Sequence, residues 1–156
     1  GGDEPDPVIN EKFAHKLAFL TEMTDWYKSH KKKSEARMVL VGDLNIAPLE
    51  HDVWSHKALL KVVSHTPLEV EMMGKLIASH DWVDVMRKFV NPSEKLYSWW
   101  SYRAKDWDAA DKGRRLDHVW VTPALADTPK SMKVLREARG WERASDHVPV
   151  IVALAL

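Results

Sequence analysis

The sequence predicts an α/β or α+β domain, and three observations carry that prediction. Apolar residues recur at spacings of three and four along one long segment, as in an amphipathic helix. Short continuous apolar runs elsewhere read as buried strands. The two kinds of segment interleave along the chain, with no internal repeat and no low-complexity stretch.

The elements follow in order. Glu11 to Ser29 is a helix whose inner face carries Phe13, Leu17, Leu20, Thr24 and Tyr27. Lys31-Lys32-Lys33 after it reads as a solvated helix end, where cations suit the helix dipole. Met38 to Val41 is a strand buried on both faces, stopped by Gly42. Thr66-Pro67-Leu68-Glu69 combines an N-cap, a proline in the first turn and a capping-box acid, so a helix runs from Pro67 to about His80. Trp82 to Phe89 reads as a second helix, broken by Asn91-Pro92. Leu96 to Arg103 and Leu116 to Thr122 read as strands, the second ended by Pro123. His147 to Leu156 is a last strand, apolar and buried on both faces.

Composition narrows the function classes. The 156 residues carry 23 Lys+Arg against 23 Asp+Glu, a balance that excludes a histone-like nucleic-acid binder but allows one basic face. Cysteine is absent, so no disulfide framework or thiolate zinc site exists, and a cytoplasmic setting fits. No apolar run approaches the roughly 20 residues that span a bilayer, so no membrane role is expected. Tryptophan is enriched at 8 residues, and five of them fall between Trp82 and Trp120. Adjacent Trp99 and Trp100 cannot both face inward on a strand, so one has another purpose.

Three polar clusters sit where an apolar strand begins or ends: Gly42-Asp43-Leu44-Asn45, Leu116-Asp117-His118 and Ser145-Asp146-His147. Rigid strand ends hold acids and imidazoles beside solvent, where catalytic groups are mounted. Carboxylate and carboxamide oxygens suit Mg²⁺ or Mn²⁺, so the residues point to metal-assisted chemistry on a phosphate. His118 reads as structural, and so do His51, His56, His65 and His80, a lone His among polar neighbours being usually a surface group. Arg103, Lys105, Lys112, Arg114 and Arg115 surround the aromatics and could meet phosphates.

Four ordered motifs carry a resemblance: Gly42-Asp43-Leu44-Asn45-Ile46-Ala47-Pro48, Ser98-Trp99-Trp100-Ser101-Tyr102-Arg103, Gly113-Arg114-Arg115-Leu116-Asp117-His118 and Ser145-Asp146-His147-Val148-Pro149-Val150. Together they resemble the exonuclease III family of the endonuclease/exonuclease/phosphatase superfamily. The resemblance implies a four-layered α/β sandwich of two packed mixed sheets with outer helices. It implies Mg²⁺-dependent (or Mn²⁺-dependent) phosphodiester hydrolysis at abasic sites and 3′ ends of double-stranded DNA. By resemblance, Asp43 manages the water or leaving-group proton, Asn45 holds the phosphate, and Asp117 orients His147 on the scissile phosphate. Asp43, Asn45 and Asp146 belong to the metal site. Trp99 and Leu116 form an apolar pocket that takes a baseless sugar and excludes a normal nucleotide, with Trp100 as packing beside it.

The resemblance covers only the carboxyl-terminal portion of that domain, and the chain starts without an initiator Met. The expectation is therefore that residues 1–156 are part of one domain. The amino-terminal portion, with a metal-binding Glu, would be absent, and that portion or a second copy is needed to cover the core. Two alternatives stay open: a superfamily phosphoesterase acting on RNA, nucleotides or phosphoinositides, and a non-catalytic DNA- or partner-binding fragment.

Overall fold

The computed structural model describes residues 3–30 and 35–156, so the basic run Lys31-Lys32-Lys33 lies outside the described residues. Helix α1 (Glu11–Ser29) begins at Asn10, whose side chain accepts the Phe13 amide, and turns Phe13, Leu20 and Thr24 inward. Strand β1 (Val39–Asp43) and the short helix α2 (His56–Leu59) follow. Helix α3 (Pro67–Ser79) has the capping box its sequence announced, with Thr66 Oγ1 accepting from the Glu69 amide. The chain continues through β2 (Val83–Asp84), α4 (Val85–Phe89), β3 (Trp99–Trp100), α5 (Trp107–Ala110), β4 (Gly113–Arg114) and β5 (Asp117–Val121). It ends in the hairpin of β6 (Pro129–Val134) and β7 (Val150–Leu154).

Strand β5 is the centre of the fold, lying between β1 and β2. The register pairs Leu40 with Trp120 and Val41 with Val119. One face of this sheet carries Leu40 and Trp120 against Leu20, Met73, Leu76 and Trp82 of the helical layer. The opposite face carries Val119 and Val121 against Val85, Leu125 and the inner residues of β7, Val150, Val152 and Leu154. The layers are thus helices, central sheet and hairpin. All strand pairs among the described residues are antiparallel, where mixed sheets were expected.

Several boundaries differ from expectation for local reasons. Trp82 to Phe89 is not one helix: Val83 and Asp84 pair with Val121 and Trp120, and the Asp84 carboxylate then caps α4 through the Arg87 amide at 3.3 Å. The aromatic strand shrinks to Trp99–Trp100, which pairs with the two-residue β4. Neither Met38 to Val41 nor His147 to Leu156 is buried on both faces as expected. Val39 and Val41 of β1 and Ile151 of β7 are 46%, 65% and 52% exposed. Among the described residues, no helix is long and apolar enough to cross a membrane.

Candidate active site

The antiparallel register sets Asp43 of β1 opposite Asp117 of β5, so two carboxylates meet where both strands end. Beyond β1 the chain turns back on itself. The Asn45 amide donates to Asp43 Oδ1 at 2.8 Å, and its carboxamide Nδ2 to Asp43 Oδ2 at 3.2 Å. This turn places Asn45 at φ +53°, the left-handed region that asparagine tolerates. Lys16 of α1 anchors it, donating to the Asn45 carbonyl at 3.0 Å while paired with the fully buried Glu69 of α3.

His147 enters from the loop before β7. A bridge between Trp99 and His147, and the Val148 amide on the Ser98 carbonyl at 2.9 Å, tie that loop to β3. The imidazole Nδ1 meets Asp117 Oδ2 at 2.8 Å, and its Nε2 lies 3.7 Å from Asp43 Oδ2. Asp117 is itself held by the buried Ser98 hydroxyl, which donates to Oδ2 at 2.7 Å and accepts the Leu116 and Asp117 amides. Ser98 and Lys16 were not among the expected site residues. Ser98 opens the aromatic motif, but only the folded chain shows where its hydroxyl points.

Electrostatics follow this geometry. The hydrogen bond to Asp117, with the charges of Asp117, Asp43 and Asp146, holds the His147 pKa above its ordinary 6.5. Burial raises the Asp43 carboxyl above its ordinary value, against the pull of the Asn45 amide and the His147 charge. Ligand atoms of Asp43, Asp117 and His147 lie within 4.8 Å of one another, a group able to hold a metal ion. Asp146 stands beside that group, its Oδ2 accepting the Trp99 indole N–H at 3.0 Å.

A cavity of about 540 Å³ adjoins this cluster, and Asn45, Trp99, Trp100, Leu116, Arg103 and Arg114 all line it. Trp99 is half-buried at its wall, while Trp100 is buried behind it with its indole N–H on Asp111 Oδ1 at 2.9 Å. The adjacent pair thus divides as the alternation of a strand requires. The pocket is less apolar than expected, since Arg103, Lys112 and Arg114 all face it.

Not every expected basic contact is available. Arg115 is fully buried, donating to Asp52 Oδ1 and Oδ2 at 2.9 and 2.8 Å and to Asp84 at 2.9 Å. It ties β5 to the core and cannot meet DNA. His118 is structural as read, its Nε2 donating to the Ile46 carbonyl at 2.7 Å. His65 and His80 are buried rather than superficial, because the chain packs His65 onto the Ala47 carbonyl and His80 against Tyr27 and Trp82.

The pattern of the Endonuclease/Exonuclease/phosphatase family matches residues 19–147, most of the chain. The chain belongs to this family. It is similar to exodeoxyribonuclease III of Haemophilus influenzae, at 28% identity over 145 residues, covering 89% of this chain and 53% of that protein. It superposes on an AP endonuclease from Archaeoglobus fulgidus with a TM-score of 0.86 and 28% identity, over 96% of this chain and 57% of the other. A 3′ phosphatase from Neisseria bound to a product DNA hairpin gives a TM-score of 0.82 at 27% identity, over 94% of this chain and 56% of the other. The chain therefore spans about half the length of these relatives, and it shares their α/β sandwich fold.

Proposed function

We propose that this chain carries the carboxyl-terminal part of the catalytic site of a DNA-repair nuclease of exodeoxyribonuclease III type. The reaction is hydrolysis of phosphodiesters at abasic sites and 3′ ends of double-stranded DNA. The observation that carries the proposal is the Ser98–Asp117–His147 chain of hydrogen bonds facing Asp43 and Asn45 beside a cation-lined cavity. The relatives named exodeoxyribonuclease III and AP endonuclease support it.

Each residue has a chemical part. Asp117 fixes the imidazole and favours its charged form, so Nε2–H is presented to a phosphate oxygen as charge develops there. Asp43, raised toward the working pH by burial, is the better for it as a proton acceptor. The Asn45 carboxamide donates to the phosphate without adding charge. Trp99 and Leu116 receive the sugar of the abasic residue with Trp100 packed behind Trp99, and Arg103 and Arg114 are assigned to substrate binding. Oxygen donors suit a hard cation, and Asp43, Asn45 and Asp146 would hold Mg²⁺ (or Mn²⁺); of the three, Asp43 belongs to the cluster of close ligand atoms, whose other members are Asp117 and His147. Such an ion, when bound, neutralises phosphate charge. An amino-terminal portion of the domain, outside residues 1–156, would supply the remaining metal carboxylate, and the absence of cysteine is consistent with a cytoplasmic protein.

The test is Mg²⁺-dependent cleavage of a duplex with one tetrahydrofuran abasic site. The full-length protein cleaves it, the 156-residue chain alone does so little or not at all, and Asp43→Asn or His147→Ala each lower turnover about 10²–10³-fold. Activity on a soluble phosphate ester with none on the abasic duplex would move the protein to another branch of the superfamily. A loss of less than tenfold for both variants would overturn the assigned roles.

A further inference from the structure

Arg139 lies in the short helical turn Arg136–Gly140 between β6 and β7, and only 8% of it is exposed. Its donors go to backbone carbonyls rather than to a carboxylate. Nε donates to the Trp100 carbonyl at 3.0 Å and Nη2 to the Ser101 carbonyl at 3.3 Å. Its guanidinium carbon lies 4.8 Å from the centroid of the Tyr102 ring and 5.5 Å from that of Trp107, both cation–π contacts. These partners all belong to residues 100–107, the segment that leaves β3. Strand β3 stops at Trp100, and past a strand end the backbone carbonyls need donors from elsewhere. The planar fork of one guanidinium supplies them to two successive carbonyls.

The same segment holds the loop before β7. The Trp100 amide donates to the Asp146 carbonyl at 2.9 Å, and the Trp99 indole N–H to Asp146 Oδ2 at 3.0 Å. Asp146 is thus gripped at its backbone and at its carboxylate by two adjacent residues. Trp99 bridges to His147 as well, and the Tyr102 hydroxyl donates to the Ala144 carbonyl at 2.8 Å. Trp100 joins the two sets of bonds, since its amide holds Asp146 while its carbonyl is held by Arg139. Packing alone does not fix this stretch, because Tyr102 is 61% exposed and Arg103 after it is exposed too. The hydrogen bonds from Arg139 do.

We infer that Arg139 is a positioning residue, a clasp that fixes the end of β3 so that Trp99 and Trp100 hold Asp146 and His147 in place. It touches neither substrate nor reacting atoms and acts through the aromatic pair. The inference rests on the proposed nuclease reading for what Asp146 and His147 do, and adds a residue that this reading does not contain.

The test compares Arg139→Met and Arg139→Lys with wild type in the full-length protein. The first readout is exchange of indole N–H protons with water by NMR, which needs neither substrate nor metal. In Arg139→Met the Trp99 indole exchanges faster, while the indole of Trp82, buried in the helical layer, keeps its wild-type rate. The second readout is cleavage of the abasic duplex. There kcat falls about 10²-fold with little change in KM, as a displaced catalytic group requires. Arg139→Lys keeps the charge but cannot serve two carbonyls and two rings, so it restores neither readout fully. Equal acceleration of the Trp99 and Trp82 indoles makes Arg139 a general stabiliser and overturns the inference. A raised KM with kcat kept makes it a substrate contact and overturns it too. Full wild-type behaviour of Arg139→Lys also overturns it, which decides the case in which Arg139→Met fails to fold by circular dichroism. A wild-type protein that leaves the abasic duplex intact sinks the nuclease reading, and indole exchange then decides by itself whether Arg139 positions Asp146.

Discussion

His147 and His118 show how one residue type takes opposite roles in neighbouring places. His147 gains a carboxylate partner and has a raised pKa, so its folded state binds protons more tightly than the unfolded chain. The stability it adds is complete below its ordinary pKa of 6.5 and is lost as pH rises through the raised value. In Asp117→Asn the His147 ring proton, followed by NMR, titrates closer to 6.5, because the largest cause of the shift is gone. An unchanged titration would mean that Asp117 does not set it. His118 is the reverse case. Fully buried beside Arg115, with Nδ1 meeting no hydrogen-bond partner among the described residues, it has a pKa pushed down to about 4. Its contribution is complete above 6.5 and is lost as pH falls from 6.5 toward about 4. The difference in urea midpoint between wild type and His118→Gln should therefore narrow over that range. A difference independent of pH would show that His118 is not held neutral.

At the scale of elements, the buried ion network matters more than any single cap. Asp52 is fully buried and takes both Arg115, between β4 and β5, and Arg87 of α4, the latter at 2.7 Å. Arg115 also reaches Asp84, which ends β2 and caps α4. One acid thus locks β5 beside β2 and α4, and holds the segment that leads into Leu116 and Asp117. Asp52→Ala leaves two buried cations short of a partner and should cost about 3–5 kcal/mol by urea denaturation. A loss below about 1 kcal/mol would mean that water replaces the carboxylate. The α3 capping box was legible because it is local, needing only Thr66 and Glu69 three residues apart. The Asp52 network was not, since its members lie 31 to 63 residues apart. The two-residue β2 and β4 were missed for a related reason, being too short to show a period.

At the scale of the whole molecule, the central sheet is covered unevenly. Helices α1 and α3 close one face, while on the other the β6–β7 hairpin covers Val119 and Val121 but leaves Val39 and Val41 bare. Ile151 on the outer face of the hairpin is bare as well. Apolar surface of this kind drives association. The chain should sediment with a concentration-dependent mass, and Val41→Thr with Ile151→Thr should reduce it. A monomer at all concentrations would remove the case for a covering partner. The runs read as strands buried on both faces are strands, and the exposure of Val39, Val41 and Ile151 among the described residues agrees with the expectation that this core needs a cover.

By itself, the sequence determined the mixed class of the fold, the long helices, the existence of the strand that proves central and the four motifs that meet at the candidate site. These are signals of composition, period and short spacing, all readable along the chain. Only the tertiary structure decided that Ser98 supports Asp117, that Lys16 and Glu69 hold the Asn45 turn, that Arg115 is core and that Arg114 lies on Trp99. The physical reason is the same in each case. A side chain's role depends on the partner that burial brings to it, and these partners come from distant parts of the chain.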